Sequence, residues 1–134
     1  MIGVLIVTHG TIGESLLSSA GQILGGVPPL VATLGVSRND DPDEVTLRAG
    51  ELLEGLDQGD GVLVLTDIFG ATPGNTISHL LQDGRVEGVS GISLPMLLRV
   101  LTGRNGSLPG AVQRALSGGA EGLVHMNSDR CMDA

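Results

Sequence analysis

The chain has 134 residues, 41% of them hydrophobic and 16% charged, and its formal net charge is −8. This length fits one domain, and the composition is that of a globular protein, because disordered chains combine low hydrophobicity with high charge. All 7 basic residues are arginines and they form no cluster. Such a charge pattern argues against binding to nucleic acid or to an anionic membrane surface, since both need cations facing phosphates.

Cysteine usage and hydropathy predict where the protein works. Cys131 is the only cysteine, so no internal disulfide can form, and a reducing cytoplasm is expected. The first residues lack the basic start of a signal peptide, and no apolar run approaches the ~20 residues that span a bilayer. We therefore expect a soluble, cytoplasmic protein that does not insert into a membrane.

Short apolar runs alternate with amphipathic stretches from the start of the chain. Residues 2–7 predict a buried strand, and the capping-box pattern of Thr11 and Glu14 predicts the helix after it, which ends at a pair of glycines. Residues 30–36 predict a second strand. Asp41 and Pro42 then predict a second helix, with an N-terminal cap and a proline in the first turn.

The second half of the chain continues this alternation. Residues 62–65 predict the clearest buried strand, and the next helix is expected from about Thr72, with Pro73 in its first turn. The remaining predicted elements are a strand at 86–92, helices at 94–101 and 108–116, and a last short strand at 122–126. We expect one domain over residues 1–126 and a polar C-terminal tail over 127–134.

This order of elements predicts an α/β fold, with a mostly parallel sheet and helices on both of its faces. In such sheets, functional loops lie beyond the carboxyl ends of the strands, near the point where strand order reverses. With the flavodoxin-like order 2-1-3-4, the first and third strands are neighbours. The polar loops that follow these two strands would then converge.

His9 and Asp67 carry the candidate chemistry of these two loops. A neutral imidazole can attack phosphorus through one nitrogen when an acceptor holds its other N–H, and a carboxylate is such an acceptor. Asp67 is placed to be that acceptor if the two strands are adjacent, although the sequence leaves open which nitrogen reacts. His79 and His125 lie near no loop organised for chemistry, and the spacing of the histidines predicts no metal site.

The two loops also contain groups that suit an anion. Gly10 lets the backbone approach a neighbour closely, and Gly70, Ala71 and Thr72 offer backbone N–H groups, a hydroxyl and a helix start. We therefore predict that these four residues bind a phosphoryl group. No cofactor is expected.

Three segments together resemble one known family, the IIA component of the mannose family of the bacterial sugar phosphotransferase system. They are Thr8-His9-Gly10, Asp67-Ile68-Phe69-Gly70-Ala71-Thr72-Pro73 and Gly91-Ile92-Ser93-Leu94-Pro95-Met96-Leu97. The resemblance spans essentially the whole chain, with the motifs in the family's order and at similar spacing. It implies that residues 1–126 are a single mannose-type IIA phosphocarrier domain.

The resemblance also implies roles and partners. His9 would accept a phosphoryl group from the phosphocarrier HPr and pass it to a separate IIB component, Asp67 would orient the imidazole, and Thr72 would contact the phosphoryl group. Docking residues are expected at Phe69, Leu94, Pro95, Met96 and Arg99. The family forms homodimers that exchange a final strand, here 122–126. Whether the output is sugar uptake or regulation stays open, as do the sugar and the IIB protein.

Two alternatives remain at this stage. A flavodoxin-like module could seat a flavin phosphate in the loop at residues 8–15, but Phe69 is the only aromatic residue that could stack on the ring. A non-catalytic regulatory subunit could retain the fold without the transfer. The joint presence of His9, Asp67 and Thr72 argues against a simple loss of chemistry.

Overall fold

Four parallel strands form one sheet in the order β2-β1-β3-β4. A computed structural model describes residues 1–129, and Cys131 together with the end of the predicted tail lies outside the described residues. The strands are β1 (Gly3–His9), β2 (Val31–Val36), β3 (Val62–Thr66) and β4 (Val86–Ser90). The predicted fold class and strand order are confirmed.

Six helices follow or connect the strands within the described part of the chain. They are α1 (Ile12–Leu24), α2 (Pro42–Leu56), α3 (Thr72–Ser78), α4 (Leu94–Leu101), α5 (Leu108–Glu121) and α6 (Met126–Asp129). Within residues 1–129, none of these helices has the length and apolar character needed to cross a bilayer.

Two apolar cores lie on opposite faces of the sheet. One packs α1, α4 and α5 against strand residues such as Ile6 and Leu65, and the other packs α2 and α3 against residues such as Val7 and Val64. Because successive strand side chains point to opposite faces, β1 and β3 must be apolar on both sides. This explains the continuous apolar runs seen in the sequence.

The start of α1 differs from the predicted capping box. Thr11 makes no side-chain cap hydrogen bond. The hydroxyl of Thr8, at the end of β1, instead accepts a hydrogen bond from the backbone N–H of Gly13 at 2.8 Å. The prediction is therefore wrong at Thr11, because a strand residue already satisfies this N–H of the first turn.

The predicted start of α2 and its cap agree with the structure. The Asp41 side chain accepts from the N–H of Asp43 at 3.0 Å, and a proline occupies the first turn.

α5 is longer than predicted, since it continues from residue 116 to Glu121. Gly118 does not break this helix; it lies close to Arg99 and the Met96 backbone, where a side chain would not fit.

The predicted strand at residues 122–126 is wrong for the single chain. α5 runs to Glu121, residues 123–125 are irregular, and α6 begins at Met126. The segment therefore forms no strand with the sheet of its own chain, although its apolar side chains Leu123, Val124 and Met126 are exposed. Residues 127–129, at the start of the predicted polar tail, belong to α6.

Candidate functional site

His9 and Asp67 meet at the carboxyl edge of the sheet. His9 is the last residue of β1, and Asp67 comes directly after the neighbouring strand β3. The imidazole Nδ1 lies 2.8 Å from Asp67 Oδ2. The His9 side chain is 47% exposed and that of Asp67 is 11% exposed, so the ring faces solvent while its partner is largely covered. The predicted convergence of the two loops is confirmed.

The carboxylate of Asp67 is held by three hydrogen bonds. Besides the ring contact, Oδ2 accepts from the backbone N–H of His9 at 3.0 Å, and Oδ1 accepts from the N–H of Ile68 at 3.0 Å. Burial raises the pKa of Asp67, but the hydrogen bonds from His9 and Ile68 outweigh it and hold that pKa below its ordinary value. The carboxylate is therefore ionised at neutral pH and can accept a hydrogen bond from Nδ1–H.

This contact assigns the tautomer of a neutral His9. An ionised carboxylate has no proton to donate, so the Nδ1 atom must carry the hydrogen of the shared bond. The lone pair then resides on Nε2, on the far side of the ring. In this tautomer, Nε2 is the ring nitrogen whose lone pair remains available.

The turn after His9 is fixed by close backbone packing. Gly10 adopts a φ of +48° and donates its N–H to the carbonyl of Val36 at 3.0 Å. The carbonyl of Gly10 lies so close to Gly35 on β2 that a side chain at residue 35 would collide with it. The glycine inside the apolar run of the second strand is the sequence signal for this approach.

The loop between β3 and α3 folds over the same edge of the sheet. Gly70 adopts a φ of +87°, Ala71 is the extended residue before α3, and Thr72 is its exposed first residue. The side-chain amide of Asn75 donates to the carbonyl of Gly70 at 3.3 Å, and its backbone N–H donates to the carbonyl of Ala71 at 2.8 Å. The predicted phosphoryl-binding residues thus lie in two loops at the edge that carries His9.

Exposed apolar side chains lie on the loops around this pair. Phe69 is 79% exposed and Ile68 is 58% exposed, both directly after Asp67, and Ile12 at the start of α1 is 47% exposed. Only Phe69 was singled out from the sequence. Ile12 and Ile68 were missed because an isoleucine beside an apolar run is ordinarily expected in the core.

The other predicted docking residues differ in what they can offer. Pro95 is exposed and Leu94 is partly buried. Met96 is only 4% exposed, because it belongs to the apolar core formed by α1, α4 and α5. Arg99 Nη2 contacts Glu121 Oε2 at 2.5 Å, so its charge is engaged with α5. Met96 therefore presents little surface to a partner, whereas the Arg99 side chain is 40% exposed but already paired with Glu121.

Among the described residues, neither of the other two histidines is hydrogen-bonded to His9 or Asp67. His79 follows the last residue of α3, and His125 Nδ1 lies 2.7 Å from the hydroxyl of Ser128. Among residues 1–129, no group of three histidine, cysteine, aspartate or glutamate side chains is close enough to hold a metal ion.

The chain is similar in sequence to IIA components of sugar phosphotransferase systems. A family model described as "PTS system fructose IIA component" matches residues 3–116. The fructose-specific EIIA component of Bacillus subtilis is 33% identical over 76% of this chain and 70% of that protein. The mannose-specific EIIAB component of Escherichia coli is 30% identical over 91% of this chain, which spans only 38% of that longer protein.

The fold comparison agrees with these matches. The crystal structure of the phosphotransferase system component EIIA from Streptococcus agalactiae superposes with a TM-score of 0.85 and 26% identity, covering 96% of this chain and 99% of that one. With the family model matching well over half of the residues, the chain belongs to the mannose-type IIA components of the sugar phosphotransferase system.

Proposed function

We propose that the chain is a phosphocarrier in which Nε2 of His9 accepts a phosphoryl group from phosphorylated HPr and passes it to a separate IIB component. The transfer serves sugar uptake or a regulatory phosphorelay. The observation that carries the proposal is the 2.8 Å contact between His9 Nδ1 and Asp67 Oδ2. This contact directs the other ring nitrogen away from the carboxylate, on a side chain that is 47% exposed.

The transfer step balances without a cofactor. The lone pair of Nε2 attacks phosphorus, and the bond between phosphorus and the donor atom breaks as the bond to Nε2 forms. The ring gains positive character, which the ionised Asp67 carboxylate stabilises through the Nδ1–H bond. The same bonds form and break in reverse order when the group leaves for the acceptor, so His9 returns to its starting state.

The phosphoryl oxygens need donors, and this part of the proposal assigns them to Gly10, Gly70, Ala71 and Thr72. The positive φ angles of Gly10 and Gly70 turn the backbone sharply in both loops. Thr72 is exposed at the same edge and has a hydroxyl that can donate. Backbone N–H groups and a hydroxyl can bind an anion without a basic side chain, so the proposal assigns this role to neutral donors.

Docking of the protein partners is proposed on the exposed apolar side chains around His9. Phe69, Ile68 and Ile12 together offer a rim that two partners could use in turn. Pro95 and Leu94 are assigned supporting contacts, with Met96 and Arg99 acting through the packing of α4. Phe69→Ser should therefore raise the HPr concentration needed for half-maximal transfer while leaving the single-turnover rate at saturating HPr within about twofold.

The first experiment is intact-mass measurement after incubation with phosphoenolpyruvate, the general phosphotransferase enzyme and HPr. Wild type should gain one acid-labile phosphoryl group. His9→Ala should gain none, and His79→Ala, which removes a histidine outside the site, should gain the group as wild type does. No gain in wild type, with HPr shown to be active on another acceptor, would reject the phosphocarrier function.

The acceptor is tested by adding a purified IIB component to the isolated phosphorylated chain. Loss of the group from this chain, with a matching gain on IIB, is expected. The Escherichia coli relative is named an EIIAB component, and this chain spans only 38% of it. A IIB component is therefore proposed as the acceptor by analogy with the A and B parts of that name. The place of action is proposed to be the cytoplasm.

A homodimer is proposed as the assembled form. Residues Leu123, Val124 and Met126 are between 53% and 85% exposed, and Leu123 borders a groove of about 340 Å³ whose other walls are α4, α5 and the end of β4. A second copy could fill this groove with its own residues 122–126. Sedimentation should then give twice the chain mass of 13.6 kDa, and Leu123→Asp with Val124→Asp should give the monomer.

A further inference from the structure

The hydroxyl of Thr8 lies between the backbone of His9 and the start of α1. Thr8 is 1% exposed, and its Oγ1 accepts from the N–H of Gly13 at 2.8 Å while donating to the carbonyl of His9 at 3.3 Å. A single side chain therefore connects the residue that carries the imidazole to the second residue of the following helix. Because strand side chains alternate, Thr8 points to the face opposite His9.

The close packing of α1 on β1 at this contact requires a glycine at residue 13. A side chain at Gly13 would meet Ile6 Cγ2 at 2.6 Å and Thr8 Oγ1 at 3.1 Å, so α1 can approach the strand only with a glycine there. The bond between the Thr8 hydroxyl and the Gly13 N–H is buried. Water cannot easily replace a buried hydroxyl, and an unpaired buried N–H is costly.

Both backbone polar groups of His9 form hydrogen bonds with side chains. Its N–H donates to Asp67 Oδ2 at 3.0 Å, and its carbonyl faces the Thr8 hydroxyl. Asp67 thus fixes His9 from the β3 side, and Thr8 fixes it from the α1 side. The ring has two rotatable bonds beyond this backbone, so the direction of Nε2 depends on how firmly the peptide planes on both sides of His9 are held.

We propose that Thr8 is a positioning residue for phosphoryl transfer: through its hydroxyl it holds the His9 backbone and the start of α1 in the arrangement that directs Nε2 to the incoming phosphorus. It touches no reacting atom. The inference rests on the phosphocarrier function proposed above. A small misplacement of a reacting group can lower a rate strongly. Loss of the Thr8 hydroxyl should therefore lower the rate of transfer at saturating HPr.

The test compares Thr8→Val, which keeps the shape and removes the hydroxyl, with Thr8→Ser, which keeps the hydroxyl. We expect Thr8→Val to lower the single-turnover rate at saturating HPr about tenfold or more, with half-saturation little changed, and Thr8→Ser to stay within about twofold of wild type. A second comparison sets Thr8→Cys against Thr8→Ser. The two side chains have nearly the same size, but the thiol is a weak hydrogen-bond acceptor.

Ser107→Ala is the matched control for loss of stability alone. Ser107 caps α5 by accepting from the N–H of Gly110 at 3.1 Å, and α5 begins beside Gly61, at the end of the sheet opposite His9. This variant also loses one helix cap, so its unfolding midpoint should fall as that of Thr8→Val does. Its transfer rate should remain that of wild type.

A second readout does not require transfer. The ¹⁵N chemical shifts of the His9 ring report the tautomer, and we expect the Nδ1-protonated form to be less populated in Thr8→Val and Thr8→Cys than in wild type and Thr8→Ser. Equal rates and equal ring shifts in Thr8→Val and wild type would overturn the proposal, and so would a Thr8→Ser variant as slow as Thr8→Val. If wild type itself accepts no phosphoryl group, the phosphocarrier function fails, and the ring shifts still decide the role of Thr8.

Discussion

At the scale of single residues, the Asp67 carboxylate has three hydrogen-bond donors around it: the His9 ring, the His9 backbone and the Ile68 backbone. The sequence could identify His9 and Asp67 as candidates, since each is a polar residue directly after a buried strand. It could not assign the nitrogen, because that depends on which side of the ring the carboxylate occupies. In the structure the carboxylate contacts Nδ1, which leaves the lone pair on Nε2.

The first prediction concerns the charge of this carboxylate. Asp67→Asn keeps the size of the side chain but removes the charge that stabilises the imidazole during transfer, and it permits the opposite tautomer. We expect the rate of phosphorylation by HPr to fall about a hundredfold or more, as followed by mass spectrometry.

Asp57→Asn is the control for Asp67→Asn. Asp57 also accepts backbone N–H groups, from Gly59 and Gly61, and pairs with Arg85 at 2.7 Å, but it lies at the amino end of β3. Its replacement should alter stability and leave the transfer rate near that of wild type. A rate for Asp67→Asn within a few-fold of wild type would contradict the role given to the charge.

The second prediction concerns acid stability. The pKa of Asp67 lies below the ordinary 3.8, because hydrogen bonds to its carboxylate outweigh burial; the pKa of Asp57 is likewise lowered, first by the hydrogen bond from Gly59. A carboxyl whose pKa is lower in the folded state contributes stability above its ordinary pKa and loses it as pH falls through the folded value. The unfolding free energy should therefore drop between about pH 5 and about pH 2.

The measurement is urea unfolding at several pH values across this window. Asp67→Asn and Asp57→Asn should each lose less stability on acidification than wild type, since one of the linked carboxyl groups is gone. The comparison between variants matters because acidification also protonates the other acidic side chains, which all three proteins share. An equal loss in all three proteins would show that these carboxyl groups do not cause it.

At the scale of elements, the strand and helix positions follow from local patterns, whereas their contacts do not. Residues 94–101 form a helix as predicted, because the capping Ser93 and the apolar spacing lie within one short segment. The cap of α1 was mispredicted because Thr8 belongs to the preceding strand. The length of α5 was underestimated because Gly118 serves its packing on Arg99 and Met96, which no local pattern records.

The third prediction concerns the contact of β2 with the His9 turn. A side chain at Gly35 would collide with the carbonyl of Gly10, so Gly35→Ala must move the turn that carries His9. We expect a loss of about 1–3 kcal/mol in unfolding free energy, together with slower transfer from HPr.

Gly50→Ala provides the comparison for Gly35→Ala. Gly50 lies inside α2, and a side chain there would meet no atom within 4 Å. Alanine has the higher helix propensity, so this variant should gain about 0.5–1 kcal/mol and transfer at the wild-type rate. A Gly35→Ala protein that behaved like Gly50→Ala would contradict the close approach of Gly10 to β2.

At the scale of the whole molecule, Arg104 joins segments that are far apart in the chain. It is 4% exposed, its Nη1 donates to the carbonyls of Ile2 and Leu30, and its Nη2 donates to the carbonyl of Pro29 at 2.6 Å. Its Nε has no hydrogen-bond partner within residues 1–129. These contacts connect the start of β1, the approach to β2 and the link between α4 and α5.

The fourth prediction is that Arg104→Met destabilises the fold by about 2–4 kcal/mol, because the carbonyls of Ile2, Leu30 and Pro29 lose a charged donor that is itself buried. Urea unfolding measures this loss. Transfer by the folded fraction should be unchanged, since Arg104 and His9 lie at opposite ends of β1. Arg48→Met, an exposed substitution on α2, should change stability by less than about 0.5 kcal/mol. An equally small change for Arg104→Met would refute the bridging role.

The sequence by itself determined the α/β class, the parallel sheet and the two candidate residues His9 and Asp67, each a polar residue at the end of a buried strand. Those features depend on burial and hydrogen bonding over a few neighbouring residues, which leave periodic patterns in the chain. The tertiary structure alone decided which ring nitrogen contacts Asp67, the contacts of the Thr8 hydroxyl, the fit of Gly35 against Gly10 and the irregular conformation of residues 123–125. Each of these depends on which groups meet across the fold, and contacts between distant segments leave no periodic signal along the chain.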